Sequence, residues 1–159
     1  MSFTINLTKL GFTDADTALG RLNPLQGEKL LTGLGRLIRE QTVERILGGG
    51  PSPGGAGWRD TIEMRNPILN RSGALARSID YRASADSLMV GSSLTYAAIH
   101  QFGGEIRPKT ASALVFMLGG RLVVTQKVTM PARPYLGLSA ENRAEASRSV
   151  VAYLRRMLG

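Results

Sequence analysis

The chain contains no cysteine and only one histidine, His100. The absence of cysteine excludes disulfide bonds, iron–sulfur clusters and zinc sites built from thiolates. A single histidine also excludes a site with several imidazole ligands, and the acidic residues show no calcium-loop spacing. The sequence therefore predicts no metal and no other cofactor.

Long apolar runs are absent as well. No stretch approaches the roughly 18 consecutive apolar residues of a membrane-spanning helix. The first residues, MSFTINLTKLGFTD, lack the basic start and apolar core of a secretory signal. We therefore expect a protein that is made in a cytoplasm and has no membrane partner. A chain of 159 residues with 43% hydrophobic residues suits one domain, residues 1–159.

Acidic residues are scarce: 12 stand against 20 basic residues, which gives a net charge of +8. Such an excess favours contact with polyanions or with acidic protein surfaces, although a solvated basic surface is an equal alternative. Arginine carries most of this charge, and its planar group pairs well with carboxylates at protein interfaces. The charge alone leaves these alternatives open.

Hydrophobic spacing predicts the regular elements of the first third of the chain. Alternation over residues 3–7 predicts a strand, and a brief helix is expected around residues 15–22. Asn23 and Pro24 are typical of the first turn of a helix, and apolar residues then recur at helical spacing. Three consecutive glycines, residues 48–50, end this long helix.

The segment GGGPSPGGAGWRD, residues 48–60, is too rich in glycine and proline for a regular element. It could be a flexible linker, but it contains the only tryptophan of the chain, Trp58. Because a large aromatic ring gains free energy by packing into a pocket, we expect an ordered or partner-ordered loop.

Two hairpins are predicted in the second half. Residues 65–79 read as a loop that leads into a short helix, with Ser72 as the cap. A first hairpin around Ala85 and Asp86 places four residues on one face: Ile79, Tyr81, Leu88 and Val90. A second hairpin, residues 113–130, turns at two glycines and pairs these residues: Phe116 with Val123, Met117 with Leu122, and Leu118 with Arg121.

The second hairpin is apolar on both faces. A two-stranded ribbon is marginal by itself, so it either lies in a covered central sheet or projects and is buried by another subunit. Ser139 then caps a last helix with one apolar stripe. The predicted fold is α+β: a mainly antiparallel sheet with a long N-terminal helix and a C-terminal helix packed on one side, plus a projecting or interface β-hairpin.

His100 lies in YAAIHQFGG, and nothing in the sequence supports it as a catalytic base. No G-x-S-x-G nucleophile motif and no phosphate-binding glycine motif is present. In one helical turn, Tyr96, Ile99 and Phe102 share a face. His100 and Gln101 then act as hydrogen-bonding groups at a core edge or an interface. We predict no catalytic residue and no enzyme; a hydrolase that uses His100 is the least favoured alternative.

Four segments resemble, in order, the virion morphogenesis or tail completion family of Mu-like tailed bacteriophages. PSPGGAGW resembles the family's P-x-G-x-x-W loop, and NRSGALARSI resembles its x-T-G-x-L-x-x-S-I segment. YAAIHQFGG is the most specific match, and MPARPYLGLS resembles x-P-A-R-P-[FY]-L-G-L-S. The resemblance spans roughly residues 48–159, and the N-terminal helix agrees in type.

The resemblance implies a structural protein of the virion neck or tail end, assembled in the host cytoplasm. Such a protein forms a homo-oligomeric ring, with a hexamer favoured and a dodecamer as the alternative. The ring completes or terminates the tail and joins it to the DNA-filled head. Its implied partners are connector or stopper proteins above, tail tube proteins below, and DNA that passes non-specifically through the lumen. A small basic nucleic-acid-binding protein is the alternative from another class.

The patterns and the resemblance together single out candidate interface or structural residues: Trp58, Tyr96, His100, Gln101, Phe102, Phe116, Leu118, Leu122, Arg133, Pro134 and Tyr135. Arg133 lies in a segment stiffened by two prolines, where each residue before a proline is extended. We expect it to form an interface or intrasubunit salt bridge.

Replacement of Arg133 therefore has a predicted effect on assembly. Arg133→Ala should lower the yield of assembled virions more than Arg148→Ala, a matched arginine on the last helix. Complementation of a phage that lacks the protein measures both. Equal and mild effects of the two substitutions would contradict a special role for Arg133.

Overall fold

The computed structural model describes residues 2–5, 22–60 and 67–158. Strand β1 (Ser2–Ile5) confirms the first part of the strand expected at residues 3–7. The helix expected around residues 15–22 lies outside the described residues, except for its last position.

Helix α1 (Pro24–Gly48) confirms the long N-terminal helix and its signals. The Asn23 side chain accepts a hydrogen bond from the Gln26 amide, and the Gln26 side chain accepts one from the Asn23 amide, both at 2.9 Å. This reciprocal pair satisfies two backbone donors that the first turn leaves free. At the other end Gly49 takes the left-handed conformation, with φ of 81°, and ends the helix.

A three-stranded antiparallel sheet forms the second layer. Strands β2 (Ile79–Ala83) and β3 (Leu88–Ser92) form the predicted first hairpin, and β1 pairs with the other edge of β3. Because side chains alternate along a strand, the register places the predicted apolar set on one face. Helix α1 packs against this sheet. The two layers share a buried core that includes Leu31, Leu34, Ile38, Ile79, Leu88 and Val90.

The C-terminal helix α4 (Ala140–Leu158) packs against α1 through a buried stripe of Ala146, Val150 and Leu154. The Tyr153 hydroxyl donates to the Gln26 carbonyl at 3.0 Å, near the start of α1. Gln41, near the end of α1, donates to Glu145 at 2.6 Å. The two helices therefore run antiparallel, and the predicted α+β fold is confirmed.

The second hairpin consists of β5 (Leu114–Leu118) and β6 (Arg121–Thr125), joined by Gly119 and Gly120. Both glycines have positive φ angles, 56° and 78°, as a two-residue turn requires. The predicted register is confirmed pair by pair. Neither strand pairs with another strand of the described residues, so the covered central sheet is wrong and the hairpin is a separate ribbon.

The hairpin is also shorter than the predicted range 113–130. Strand β6 ends at Thr125, where the hydroxyl of Thr125 donates to the Lys127 carbonyl at 2.9 Å. Strand β7 (Val128–Met130) then pairs with β4 (Gly104–Ile106) in a second small ribbon. Glu105 forms an ion pair with Lys127 at 2.9 Å across this ribbon.

Two short helices complete the described chain, α2 (Ala74–Arg77) and α3 (Ala97–Phe102). The short helix expected after residue 65 is thus confirmed, but its cap is Gly73 and not Ser72. Gly73 has φ of 71°, a conformation that starts the helix one residue later than expected. The Ser72 hydroxyl only reaches the Ala74 amide at 3.4 Å.

Gly35 on α1 provides a test of the contact between the helix and the sheet. A Cβ atom there would lie 2.3 Å from the Tyr81 ring and 2.9 Å from Leu88. Gly35→Ala should therefore lower the free energy of unfolding by about 1–3 kcal/mol, measured by urea denaturation. Gly33→Ala is the matched control, because a Cβ atom at Gly33 meets nothing within 4 Å. It should stabilise the helix by up to about 1 kcal/mol, and a similar loss in both variants would contradict the close packing.

Candidate functional site: a clamped strap and an exposed hairpin

Residues 131–139, PARPYLGLS, run from β7 to α4 as an extended segment that we term the strap. Arg133, Tyr135 and Leu136 are buried in it. Buried backbone groups need hydrogen-bond partners, and the strap pairs with no strand of the described chain. Its partners are side chains and carbonyls from α1, α3 and the loop 48–60.

Gln101 of α3 binds the centre of the strap. Its Oε1 accepts hydrogen bonds from the amides of Tyr135 and Leu136, both at 3.0 Å. Its Nε2 donates to the Leu136 carbonyl at 3.1 Å. One amide side chain thus supplies the donor and acceptors that a neighbouring strand would supply, which explains why glutamine suits this position.

Tyr135 anchors the strap in the core and is fully buried. Its hydroxyl donates to the Ala97 carbonyl at 3.2 Å, at the start of α3. Burial, with a smaller contribution from Tyr96, raises the pKa of Tyr135 to about 12. The phenol is therefore neutral and serves as a hydrogen-bond donor.

Trp58 connects the loop 48–60 to the strap. Its indole Nε1 donates to the Pro134 carbonyl at 2.9 Å, and the ring packs against Gly50. The side chain is only 8% exposed. The loop is thus ordered within the chain, and Pro134 contributes its carbonyl to this contact.

Arg133 is 4% exposed and holds the end of the same loop. Its Nε donates to the Arg59 carbonyl at 2.8 Å, and a terminal nitrogen donates to the Asp60 carbonyl at 2.9 Å. Its own amide donates to the His100 carbonyl at 2.7 Å. Burial lowers the pKa of Arg133, and the nearby Asp60 carboxylate opposes this shift. The arginine therefore binds main-chain carbonyls within its own chain, where a salt bridge was expected.

Arg45 of α1 also binds the strap, although no sequence signal singled it out. We term Gln101, Trp58, Arg133 and Arg45, with the contacts they make to or from the strap, the clamp. Its guanidinium donates to the carbonyls of Tyr135 at 2.8 Å and Gly137 at 3.2 Å, and to the Asn142 side chain. Burial lowers the pKa of Arg45. A basic residue in the last turn of a helix is common, so only its tertiary contacts distinguish it.

His100 lies beside this clamp. Its ring meets Tyr96 edge to face, with the centroids 5.7 Å apart. Nδ1 is buried and has no hydrogen-bond partner among the described residues. Burial, and then the positive charge of Arg133, lowers the pKa of His100 from 6.5. The neutral imidazole packs at the edge of the core, and no described contact links it to a nucleophile or an orienting acid.

The predicted apolar face of α3 points outward. Phe102 is 70% exposed and Tyr96 is 41% exposed, whereas the buried residue of this helix is Ala97. The reason is that Gln101 and the Ala97 carbonyl bind the strap, which turns the aromatic side chains away from it.

The hairpin presents a group of exposed apolar side chains on one face. One face presents four apolar side chains, each between 62% and 65% exposed, which we term the hairpin face: Val115, Met117, Leu122 and Val124. Phe116 and Leu118 lie on the opposite face and are half-buried. Of the three hairpin candidates from the sequence, only Leu122 belongs to the exposed face.

The described ranges, residues 22–60 and 67–158 with β1, lack two kinds of feature. They contain no cluster of three acidic or histidine side chains that could hold a metal ion. No helix in them is both long and apolar enough to cross a membrane.

The sequence matches the phage virion morphogenesis family over residues 10–155. It is 30% identical over 149 residues to the putative capsid assembly protein G of Escherichia phage Mu, which covers 87% of this chain and 80% of that protein. It is 28% identical over 113 residues to the Mu-like prophage FluMu G protein 2 of Haemophilus influenzae, which covers 70% and 66%. No solved structure gives a significant match.

Gln101→Met tests the clamp. The variant keeps the length of the side chain but removes three hydrogen bonds and leaves two strap amides without an acceptor. We expect the free energy of unfolding to fall by about 2–4 kcal/mol in urea denaturation. Gln126→Met, at an exposed position after β6, should change it by less than about 0.5 kcal/mol. Equal small effects would show that the strap does not depend on Gln101.

His100 gives a prediction for pH. Its pKa is lowered in the folded chain, so the unfolded chain binds more protons below about pH 6.5. The wild-type melting temperature should therefore fall as the pH is lowered from about 7 to about 5, and His100→Gln should reduce that fall. Glu105 also has a lowered pKa, but its effect on the melting temperature belongs to lower pH and is the same in the wild type and in the variant. Identical pH profiles would refute the contribution of His100.

Proposed function

We propose that this chain, which belongs to the phage virion morphogenesis family, forms a homo-oligomeric ring at the neck of the virion. The ring completes or terminates the tail and joins it to the DNA-filled head. In this proposal a hexamer matches the symmetry expected of the tail tube, and a dodecamer is the alternative. Connector or stopper proteins lie above it, tail tube proteins lie below it, and DNA passes through its lumen.

The exposed hairpin face is the observation that carries the proposal. An isolated two-stranded ribbon is marginally stable in water, and this one presents four apolar side chains to solvent on one face. Contiguous exposed apolar surface of this kind marks protein interaction sites. In a ring each subunit would cover the hairpin face of its neighbour, since a head-to-tail contact forms a ring where the rotation between copies closes.

The clamp fixes the segment of the chain that follows the hairpin. The chain passes from β6 through β7 directly into the strap, which is held by α1, α3 and the loop 48–60. At the base of this path a Cβ atom at Gly103 would lie 2.7 Å from the Ala132 nitrogen, so the backbones pack closely there. A projecting arm on an ordered base loses little conformational entropy when a partner binds it.

The relatives agree with a role in virion assembly. The protein of phage Mu is named for capsid assembly, and the prophage protein is named as Mu-like. A ring at the neck would contact both the head and the tail. The proposal therefore assigns a definite position in the virion to the general role in assembly.

The alternative, a nucleic-acid-binding protein, has less support. Single-stranded nucleic acids stack their bases on exposed aromatic side chains. Trp58 and Tyr135 are instead buried in the clamp, and the exposed Phe102 and Tyr96 lie in YAAIHQFGG, a segment without lysine or arginine. The net charge of +8 is compatible with DNA in a lumen, and a steep salt dependence of DNA affinity for the isolated protein would favour the alternative.

Removal of the protein during phage assembly tests the proposal directly. Negative-stain electron microscopy of the lysate distinguishes the outcomes. Filled heads beside separate tails of normal length support completion or joining, whereas separate tails of overgrown or variable length support termination. Normal joined virions would overturn the structural role.

Leu122→Glu tests the hairpin face. The side chain is 65% exposed, so the folded chain should tolerate the charge, with a change in unfolding free energy of less than about 0.5 kcal/mol. Burial of the charge in a ring interface should lower the yield of infectious phage in a complementation assay about ten-fold or more. Leu25→Glu is the matched control, because Leu25 is 61% exposed on α1. Equal yields for the two variants would contradict the interface.

A further inference from the structure

An open cleft of about 660 Å³ lies where the loop 48–60 faces the end of α1 and the start of α4. Pro51 and Pro53 line one side of it, and Glu44 and Glu141 contribute carboxylates. Neither the hairpin nor α3 contributes to its lining, so this cleft is separate from the exposed surfaces described above.

The cleft is acidic although the chain is strongly basic. Glu44 and Glu141 form no ion pair within the described part of the chain. Arg45 also lines the cleft, but its guanidinium is directed to the strap carbonyls and to Asn142. The three charges leave a net negative cleft in a chain with a net charge of +8, which favours a cationic ligand.

Gln41 gives a second, independent indication of a ligand. It lines the cleft, is only 8% exposed and donates from Nε2 to Glu145 at 2.6 Å. Its Oε1 is buried and has no donor in the ranges that the structure describes. Buried acceptors are nearly always paired in folded proteins, so the unpaired Oε1 beside the cleft would gain a donor if Gln41 turned toward a bound N–H group. The described residues contain no group of three or more acidic or histidine side chains that could hold a metal ion, whereas a side chain with several donors can bind two carboxylates.

We propose that this cleft binds the guanidinium of Arg121 from a second copy of the chain. The inference rests on the proposed ring. Arg121 is exposed and directly follows the glycine turn, so it lies at the tip of the projecting hairpin. Like the two glutamates, it forms no ion pair with a described residue. The hairpin therefore offers an unpaired cation to a cleft that has unpaired anions.

The chemistry of the two surfaces is complementary beyond charge. A guanidinium has five donors in a plane, enough in number for the two carboxylates and for the amide oxygen of Gln41 once that side chain turns toward the cleft. Leu122 and Met117, which pair with each other beside Arg121, would lie against the proline side of the cleft. Tip and cleft are different surfaces, so the contact is head to tail and propagates around a ring.

A charge exchange tests the inference by complementation of a phage that lacks the protein. Arg121→Glu and Glu44→Arg should each lower the titre about ten-fold or more, because each variant places like charges together. The combined variant restores opposite charges in every interface and should recover most of the titre. Arg148→Glu, at an exposed position on α4 outside the cleft, should leave the titre unchanged.

Thermal unfolding of each purified variant checks that the fold is intact. Wild-type titres for both single variants, or a combined variant as poor as the worse single variant, would overturn the docking of Arg121. Failure of the proposed ring gives a different result: the wild-type chain is then absent from purified virions in an immunoblot. If the wild-type chain is present in virions but the combined variant does not recover its titre, only the docking of Arg121 is rejected.

Discussion

Hydrogen bonding of the strap is the constraint on which the rest of the structure depends. The strap is extended, contains two prolines and buries Arg133, Tyr135 and Leu136, yet no described strand pairs with it. Its backbone groups would lose their hydrogen bonds on burial without other partners, at a cost of about 1–3 kcal/mol for each unpaired group. Gln101, Arg45 and Trp58 supply these partners from three different parts of the chain.

This solution connects elements that are far apart in sequence. Arg45 brings the end of α1 to the strap, Trp58 brings the glycine-rich loop, and Gln101 brings α3. The same contacts order the cleft, because the loop and the start of α4 form its walls. One end of the molecule thus becomes an ordered base, and the hairpin extends from it with its apolar face and Arg121 available to a neighbour.

Sequence reasoning succeeded where the signal is local. Turn chemistry, alternation and side-chain size account for the caps of α1, the apolar face of the first hairpin, the register of the second hairpin and the packing of Trp58. It failed where one residue shifts the geometry, as at Gly73, which starts α2 in place of Ser72. It also assigned residues 128–130 to the second hairpin, because nothing local shows that they pair with β4 instead.

By itself the sequence determined the α+β class, both ends of α1 and the turns of both hairpins, because neighbouring residues decide these through backbone geometry and hydrophobic period. The family was indicated differently, by the resemblance of four segments in order to known segments of that family. Tertiary structure alone decided the partners of distant polar side chains and which side of α3 faces solvent. Arg45 became a strap ligand, Arg133 bound carbonyls in place of a carboxylate, and Phe102 turned to solvent. These outcomes depend on which backbone groups lie within hydrogen-bond distance after folding, and spacing along the chain carries no record of those distances.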